Sequence, residues 1–465
     1  MELDQMEKAD LQSKNRTAEL AKFVMGISFE KLPKDVIDTT KLLILDLIGV
    51  GVLGSTKEAS RIIVEFVKDS GCRGESTVFG HQLKTSPQFA AMANGTIGHG
   101  FELDDTHDPS VSHPGAVVIP TALALGEKQR ISGKDFLTAV VVGYEVMGRV
   151  GMAAGPALIG RGFHPTSANG PFGAVAAAAK ILGLSEQQYL RGFGIVGSMA
   201  SGILEFSQDD EGTMIKRLHA GIAAGNGVAA ALLAGKGFTG PSRALDGTFG
   251  YCKVFSDSPD LNKLDSHLGE DFVIRSVSVK PYACCRLFHS TLDAIKTMKS
   301  EGRIDPGRIK KILIGGPRIS VVQHMVYEPR SIMAAQYSLP FIIALGMLAD
   351  IEDPNIFDEK ILKDREVLDF AKKVFGFEDE EMERVFPEKF ASKVIVELVD
   401  GSREERVVYD SQGTPANRMT EDEMIRKFKK ITQNIFDDKR LDAILEKVMK
   451  IEKMDDISEL ATLIG

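Results

Sequence analysis

The chain has 465 residues, 43% of them hydrophobic and 26% charged, with a formal net charge of -9 at pH 7. That length gives room for two or three domains and a large core. The acidic balance argues against a general nucleic-acid binder, which needs a basic surface, but not against an anionic small molecule held by a few local Lys and Arg residues.

The N-terminus, "MELDQMEKADLQSKNRTAEL", lacks the basic start and apolar core of a secretory signal. The most nearly membrane-like stretch, "TAVVVGYEVMGRVGMAAGPALIG", is interrupted by Glu145 and Arg149, so no membrane span is expected. Cys72, Cys252, Cys284 and Cys285 form no CxxC pair. A reduced, cytoplasmic protein is the expectation.

The first half reads as successive helices. "PKDVIDTTKLLILDLIGVGVLG" has helical apolar spacing and ends in glycines. "SPQFAAMANGTIGHG", "GAVVIPTALALGEKQ", "SGKDFLTAVVVGYEVMGRV", "GPFGAVAAAAKILGLS" and "HAGIAAGNGVAAALLAGKG" follow, with faces of small residues that let helix backbones approach closely. The one early strand signal is "ESTVFG". Near residue 270 the texture changes. "DFVIRSVSVKPYA" alternates like a strand, "RLFHSTLDAIKTMKSEG" is helical, and "IKKILIGGP" is a second strand. "AAQYSLPFIIALGMLAD" reads as one helix despite Pro340. "SKVIVELVDGSREERVVYD" is a hairpin about Asp400-Gly401. Two charged amphipathic helices close the chain. The expected fold is mainly α with an α+β part: a helical domain over 1–270 and 411–465, and an inserted α+β domain over 271–410.

Four segments carry chemistry. "GHGFELDDTHDPSVSHPG" packs His99, Glu102, Asp104, Asp105, His107, Asp108 and His113 between two apolar helices. Carboxylates and imidazoles shift each other's pKa values there, and Thr106 adds a hydroxyl. The histidine spacing matches no compact metal motif, so an acid/base or substrate-binding role ranks above a solvated loop, and a metal site last. In "GRGFHPTSANGPFG", His164 precedes a helix that Ser167 or Asn169 is expected to cap. In "GTMIKRLHAGIAAGNG", Lys216 and Arg217 either bind a carboxylate or face water beside Asp209, Asp210 or Glu211. In "VSVKPYACCRLFHS", Lys280 ends the expected strand, and Tyr282, Arg286 and His289 follow at a helix start. Cys284 and Cys285 there are read as buried, inert thiols.

The ordered set "HGFELDDTHDPSVSHPGAVVIPTALALGE", "GFHPTSANGPFGAVAAAAKILGLS", "KRLHAGIAAGNG" and "KPYACCRLFHS" resembles the MmgE/PrpD family of 2-methylcitrate dehydratases and cis-aconitate decarboxylases. The resemblance runs from about residue 17 to the C-terminal helices. It implies a helical domain with a smaller α+β lid, a homodimer, and di- or tricarboxylate chemistry without metal or other cofactor. It places the acidic motif on Asp104, Asp105 and Thr106, the proton-transfer histidines on His113 and His164, and the site lysines on Lys216 and Lys280. The decarboxylases carry an aspartate where this chain has Glu102. Where a histidine follows the second lysine in the family, this chain has Cys284, Cys285 and Arg286, with His289 later.

The resulting expectation is a metal-independent dehydratase of a hydroxy di- or tricarboxylate. His113, His164, Asp104 and Asp105 do acid/base work. Glu102, Thr106, Lys216, Arg217, Lys280, Tyr282, Arg286 and His289 bind substrate. A cis-aconitate decarboxylase, a carboxylate epimerase or isomerase, and a non-catalytic carboxylate-binding protein are the alternatives.

Overall fold

The computed structural model describes residues 14–209 and 213–465. The chain is mainly helical and divides into two units. The first takes in residues up to 205, 214–277 and 421–465; the second, 206–213 and 278–420.

The helical unit begins with α1 (Arg16–Gly26), α2 (Lys34–Ser55), α3 (Glu58–Asp69), α4 (Pro87–Gly98), α5 (Gly115–Gln129), α6 (Gly133–Ala154), α7 (Pro165–Ile181), α8 (Glu186–Gly197) and α9 (Ile215–Gly235). Helix α9 packs on α4 and α7, and α7 on α6. The small residues sit where these backbones meet. A Cβ on Gly227 would lie 2.2 Å from the Cβ of Ala174, and one on Gly95 only 2.9 Å from the Cα of Gly221. Any side chain there would push two helices apart.

By length and composition α6 and α9 are both long and apolar enough to cross a membrane, which the sequence reading did not expect. Inside the protein the apolar window of α6 is 94% buried and that of α9 61% buried. In α6 the buried pair Glu145–Arg149 ties down a later segment. Arg149 donates to the carbonyls of Lys263 and Ser266, and Glu145 accepts from the Val273 amide. Buried charges satisfied this way hold chain segments together.

The α+β unit holds α10 (His289–Ser300), β1 (Ile309–Gly316), α11 (Ile332–Gln336), α12 (Leu339–Leu348), β2 (Val374–Glu378), β3 (Ser392–Leu398) and β4 (Arg403–Val408). The sheet order is β2-β1-β3-β4, with β1 and β2 parallel and the other pairs antiparallel. The hairpin turn falls at Asp400-Gly401 as expected, with Gly401 at φ +88°. Two expectations change. "DFVIRSVSVKPYA" forms a 3-10 turn, Val273–Ser276, and a two-residue strand, Val277–Ser278. The turn buries Val273 and Ile274, and such burial imitates strand alternation over a short window. The single helix expected around Pro340 is two. Proline cannot donate inside a helix, so a new helix starts with Pro340 in its first turn and the Ser338 hydroxyl accepting from the Phe341 amide at 3.1 Å.

The chain then returns to the helical unit through α13 (Glu421–Thr432), α14 (Asp438–Met449) and α15 (Ser458–Ile464). On α13, Phe428 and Ile431 fill the space above Gly49 of α2. The buried Lys427 ammonium of α13 pairs with Asp46 at 2.6 Å and donates to the Leu103 carbonyl at 3.2 Å.

Candidate functional site

Helix α4 ends at Gly98, and the loop that follows turns back to α5 through Glu102, whose φ of +55° lies in the left-handed region. A non-glycine residue held there is strained, and such strain is kept where the side chain has a task. The Glu102 carboxylate is 1% exposed and accepts from both Lys216 and Arg217 in the first turn of α9. Arg217 also donates to the His99 carbonyl at 3.3 Å. The solvent-facing alternative for these cations is thereby corrected: they are buried against a carboxylate far away in sequence. Asp210 and Glu211 lie outside the described residues.

Two imidazoles share one carboxylate. His99 Nδ1 lies 2.7 Å from Asp104 Oδ2 and His113 Nδ1 lies 3.3 Å from the same oxygen. His113 Nδ1 is also 2.9 Å from the Asp105 carbonyl. A carbonyl only accepts, so His113 carries its proton on Nδ1 and a lone pair on Nε2. The same logic gives His99 the Nδ1–H form. Burial opposes ionisation of Asp104, but the imidazoles against it hold its carboxyl well below the usual range. Burial pushes His99 down to about 3, so it is neutral at pH 7. Among the described residues, nothing hydrogen-bonds to His99 Nε2 or to Asp104 Oδ1, although both are buried.

Asp105 faces the other way. Its carboxylate accepts from the Gly115 amide at 2.8 Å and the Tyr144 hydroxyl at 2.6 Å. Burial pushes its pKa up to about 7 against those two donors. A Cβ on Gly115 would lie 2.8 Å from both carboxylate oxygens and from the Tyr144 hydroxyl, so only glycine leaves room. Asp105 thus fastens the loop to the start of α5. Thr106 donates to Asp108 at 2.9 Å, and His107 is locked between Ser110 and Ser276.

His164 stands at the start of α7, its amide bonded to the Gly202 carbonyl. Ser167 and Asn169 lie inside α7 and do not cap it, because Pro165, with φ already set for helix, begins the helix earlier. His164 Nδ1 lies 2.9 Å from Nδ1 of His219, one turn along α9 from Lys216. The ring centres of His99 and His113 are 4.8 Å apart, and those of His99 and His164 are 6.2 Å apart. Burial, Lys216 and the neighbouring imidazoles hold His164 well below its ordinary pKa, and burial pushes His219 down to about 4. Four imidazoles, one bridging carboxylate and two cations therefore gather in the helical unit.

Could the group hold a metal? Ligand atoms of His99, Asp104 and His113 lie within 4.8 Å of one another. Both Nδ1 atoms face oxygens as N–H donors, which makes Nε2 of each ring the nitrogen that would take up a proton or a metal. The donor set suits proton transfer.

The MmgE/PrpD N-terminal domain model matches residues 18–264 and the MmgE/PrpD C-terminal domain model matches 282–451. The chain belongs to the MmgE/PrpD family. It is 29% identical to a cis-aconitate decarboxylase-like protein of Aspergillus oryzae, covering 97% of each chain. It is 27% identical to the cis-aconitate decarboxylase of Aspergillus terreus, covering 97% of this chain and 96% of that one. It is 28% identical to that of Homo sapiens, covering 97% and 95%. At family level it is a lyase.

The other expected binders of this MmgE/PrpD lyase, Lys280, Tyr282, Arg286 and His289, belong to the α+β unit and are buried. The Tyr282 hydroxyl donates to Asp293 at 2.6 Å, Arg286 donates to the Ser411 hydroxyl at 2.8 Å, and His289 Nε2 lies 3.5 Å from the Cys284 carbonyl. Cys284 and Cys285 are buried and form no disulfide among the described residues. Sequence reasoning missed His219 and Tyr144, and left His99 without a role. The spacing of Lys216 and His219, three apart on one helix, was the available signal for His219.

Proposed function

We propose that the chain is a metal-independent dehydratase of a hydroxy di- or tricarboxylate, of the 2-methylcitrate dehydratase kind. The observation that carries this reading is the carboxylate shared by His99 and His113. Asp104 fixes both rings with Nδ1 protonated, so each presents a basic Nε2. A neutral imidazole of fixed tautomer is the group needed to take a proton from carbon next to a carboxylate. His113, whose side chain is 12% exposed against 0% for His99, is the base. Lys216 and Arg217, set against Glu102, supply the cations that stabilise the negative charge that builds on the substrate. His164 serves the acid side. A bound carboxylate beside depressed imidazoles favours their charged form, so the acid gains its proton as substrate binds. Each transfer contributes on the order of 10²–10⁴ in rate. Asp104 and Asp105 act by orientation, holding rings and loop, rather than as acids.

The names of the relatives favour a second reading, decarboxylation of a cis-aconitate-like acid. One experiment separates the readings: incubation with citrate, 2-methylcitrate, malate, tartrate and cis-aconitate in D₂O, followed by NMR and CO₂ release. New alkene from a hydroxy acid is the expected result. CO₂ from cis-aconitate without alkene from any hydroxy acid overturns dehydration in favour of decarboxylation. Deuterium incorporation without alkene points to an epimerase, and binding without exchange to a carboxylate-binding protein. Turnover unaffected by a chelator is expected; loss restored by one divalent ion sinks the metal-independent reading.

A further inference from the structure

The His99–Asp104–His113 group and the His164–His219 pair obey different proton arithmetic. In the first, a carboxylate fixes both tautomers alike. In the second, two Nδ1 atoms face each other at 2.9 Å, with a lone pair on one and a proton on the other. Two protons would repel, and two lone pairs would make no bond. The tautomers of His164 and His219 are therefore opposite. The backbone decides which way. His164 holds the N-cap position of α7, and its carbonyl receives the first amides of that helix. The positive end of the helix dipole favours a lone pair on the ring nitrogen nearest the backbone, which is Nδ1. His219 then donates, and His164 carries its proton on Nε2. This is the reverse of His99 and His113, whose Nε2 atoms bear lone pairs.

We propose that His219 is a positioning residue that feeds protons to His164 through this bond. The inference rests on the lyase reading for its chemistry, but the pairing itself does not. A proton taken up by His219 at Nε2 starts the relay. The proton between the rings passes from His219 Nδ1 to His164 Nδ1. The Nε2 proton of His164 passes to the leaving hydroxyl, the C–O bond breaks and water departs. Both rings end neutral with exchanged tautomers, so no imidazolate forms. Among the described residues, the charged and titratable groups facing the pair include Lys216, on the same helix as His219 and acting on both rings, and His99 and His113 on the loop, acting on His164. Burial and Lys216 disfavour a standing positive charge on either ring.

The full-length chain labelled with ¹⁵N tests this. It has nine histidines, few enough to assign by single substitution. Long-range ¹H–¹⁵N spectra are expected to show His219 in the Nδ1–H form and His164 in the Nε2–H form; matching tautomers overturn the pairing, and the reversed order overturns the direction of relay. In His219→Ala, the His164 ring is expected to lose its single tautomer, kcat to fall about 10²-fold and the acidic limb of the pH–rate profile to move, with KM within about twofold. His219→Asn keeps a polar group near the Nδ1 position and is expected to recover the His164 tautomer but only part of kcat. Unchanged kcat and pH profile in folded His219→Ala overturn the relay. If the wild-type chain turns over no acid in the panel, the lyase reading fails while the spectra still decide the pairing.

Discussion

Two stretches of this chain look alike on paper: the loop after α4, with its carboxylates and imidazoles, and the run from Lys280 to His289. The structure treats them differently. In the second, Tyr282 and Arg286 spend their donors on Asp293 and Ser411, and Asp293 also accepts from the Gln412 amide. These bonds fasten the 411–412 segment to the start of α10. In the first, two rings share the Asp104 carboxylate, and among the described residues nothing hydrogen-bonds to His99 Nε2 or to Asp104 Oδ1. Buried polar atoms without partners are costly, and a fold retains them where something else will meet them.

The contrast can be broken at its strongest point. Asp104→Asn keeps the shape but removes the acceptor that fixes two tautomers. Turnover is expected to fall about 10³-fold with the fold intact by circular dichroism; a loss under threefold would mean that Asp104 has no such role. Glu102→Gln leaves Lys216 and Arg217 buried against a neutral amide. About 3–5 kcal/mol of stability should be lost, read as a lowered urea midpoint. Gly115→Ala drives a methyl into Asp105 and Tyr144 and is expected to cost about 1–3 kcal/mol.

A pH experiment sharpens the role of Asp105. Its pKa rises from 3.8 to about 7 on folding, so between those values the folded chain binds more protons than the unfolded one. Stability from this group therefore falls as pH rises across that window. The buried histidines, with lowered pKa values, contribute the opposite slope, so the difference between wild type and Asp105→Asn isolates the aspartate. Denaturation at pH 4, 5.5 and 7 should show wild type losing ground to the variant as pH rises. Smallest of all, Tyr282→Phe should leave turnover within about threefold and cost about 1 kcal/mol, the net worth of one hydrogen bond; a hundredfold loss of turnover would erase the distinction between the two stretches.

The sequence carried the helical character, the hairpin and the change of texture near residue 270, because these rest on local periodicity. It also singled out the loop after α4, His164 and Lys216, which the structure brings together. What it could not carry was pairing over distance. Glu102 meets Lys216 across more than a hundred residues, and no local pattern announces that. His99 and His107 looked equivalent, yet one sits on Asp104 and the other between two serines. The start of α7 slipped to Pro165 instead of the polar residues after it, and the helix expected to run through Pro340 begins anew at the Ser338 cap.

Lys427 gives this architecture a temporal order. Lys427 lies 324 residues after Leu103 and synthesis runs from the N-terminus, so the loop after α4 emerges long before this mooring exists. A chain ending at residue 420 should accumulate without turnover even where much of its helical core has formed.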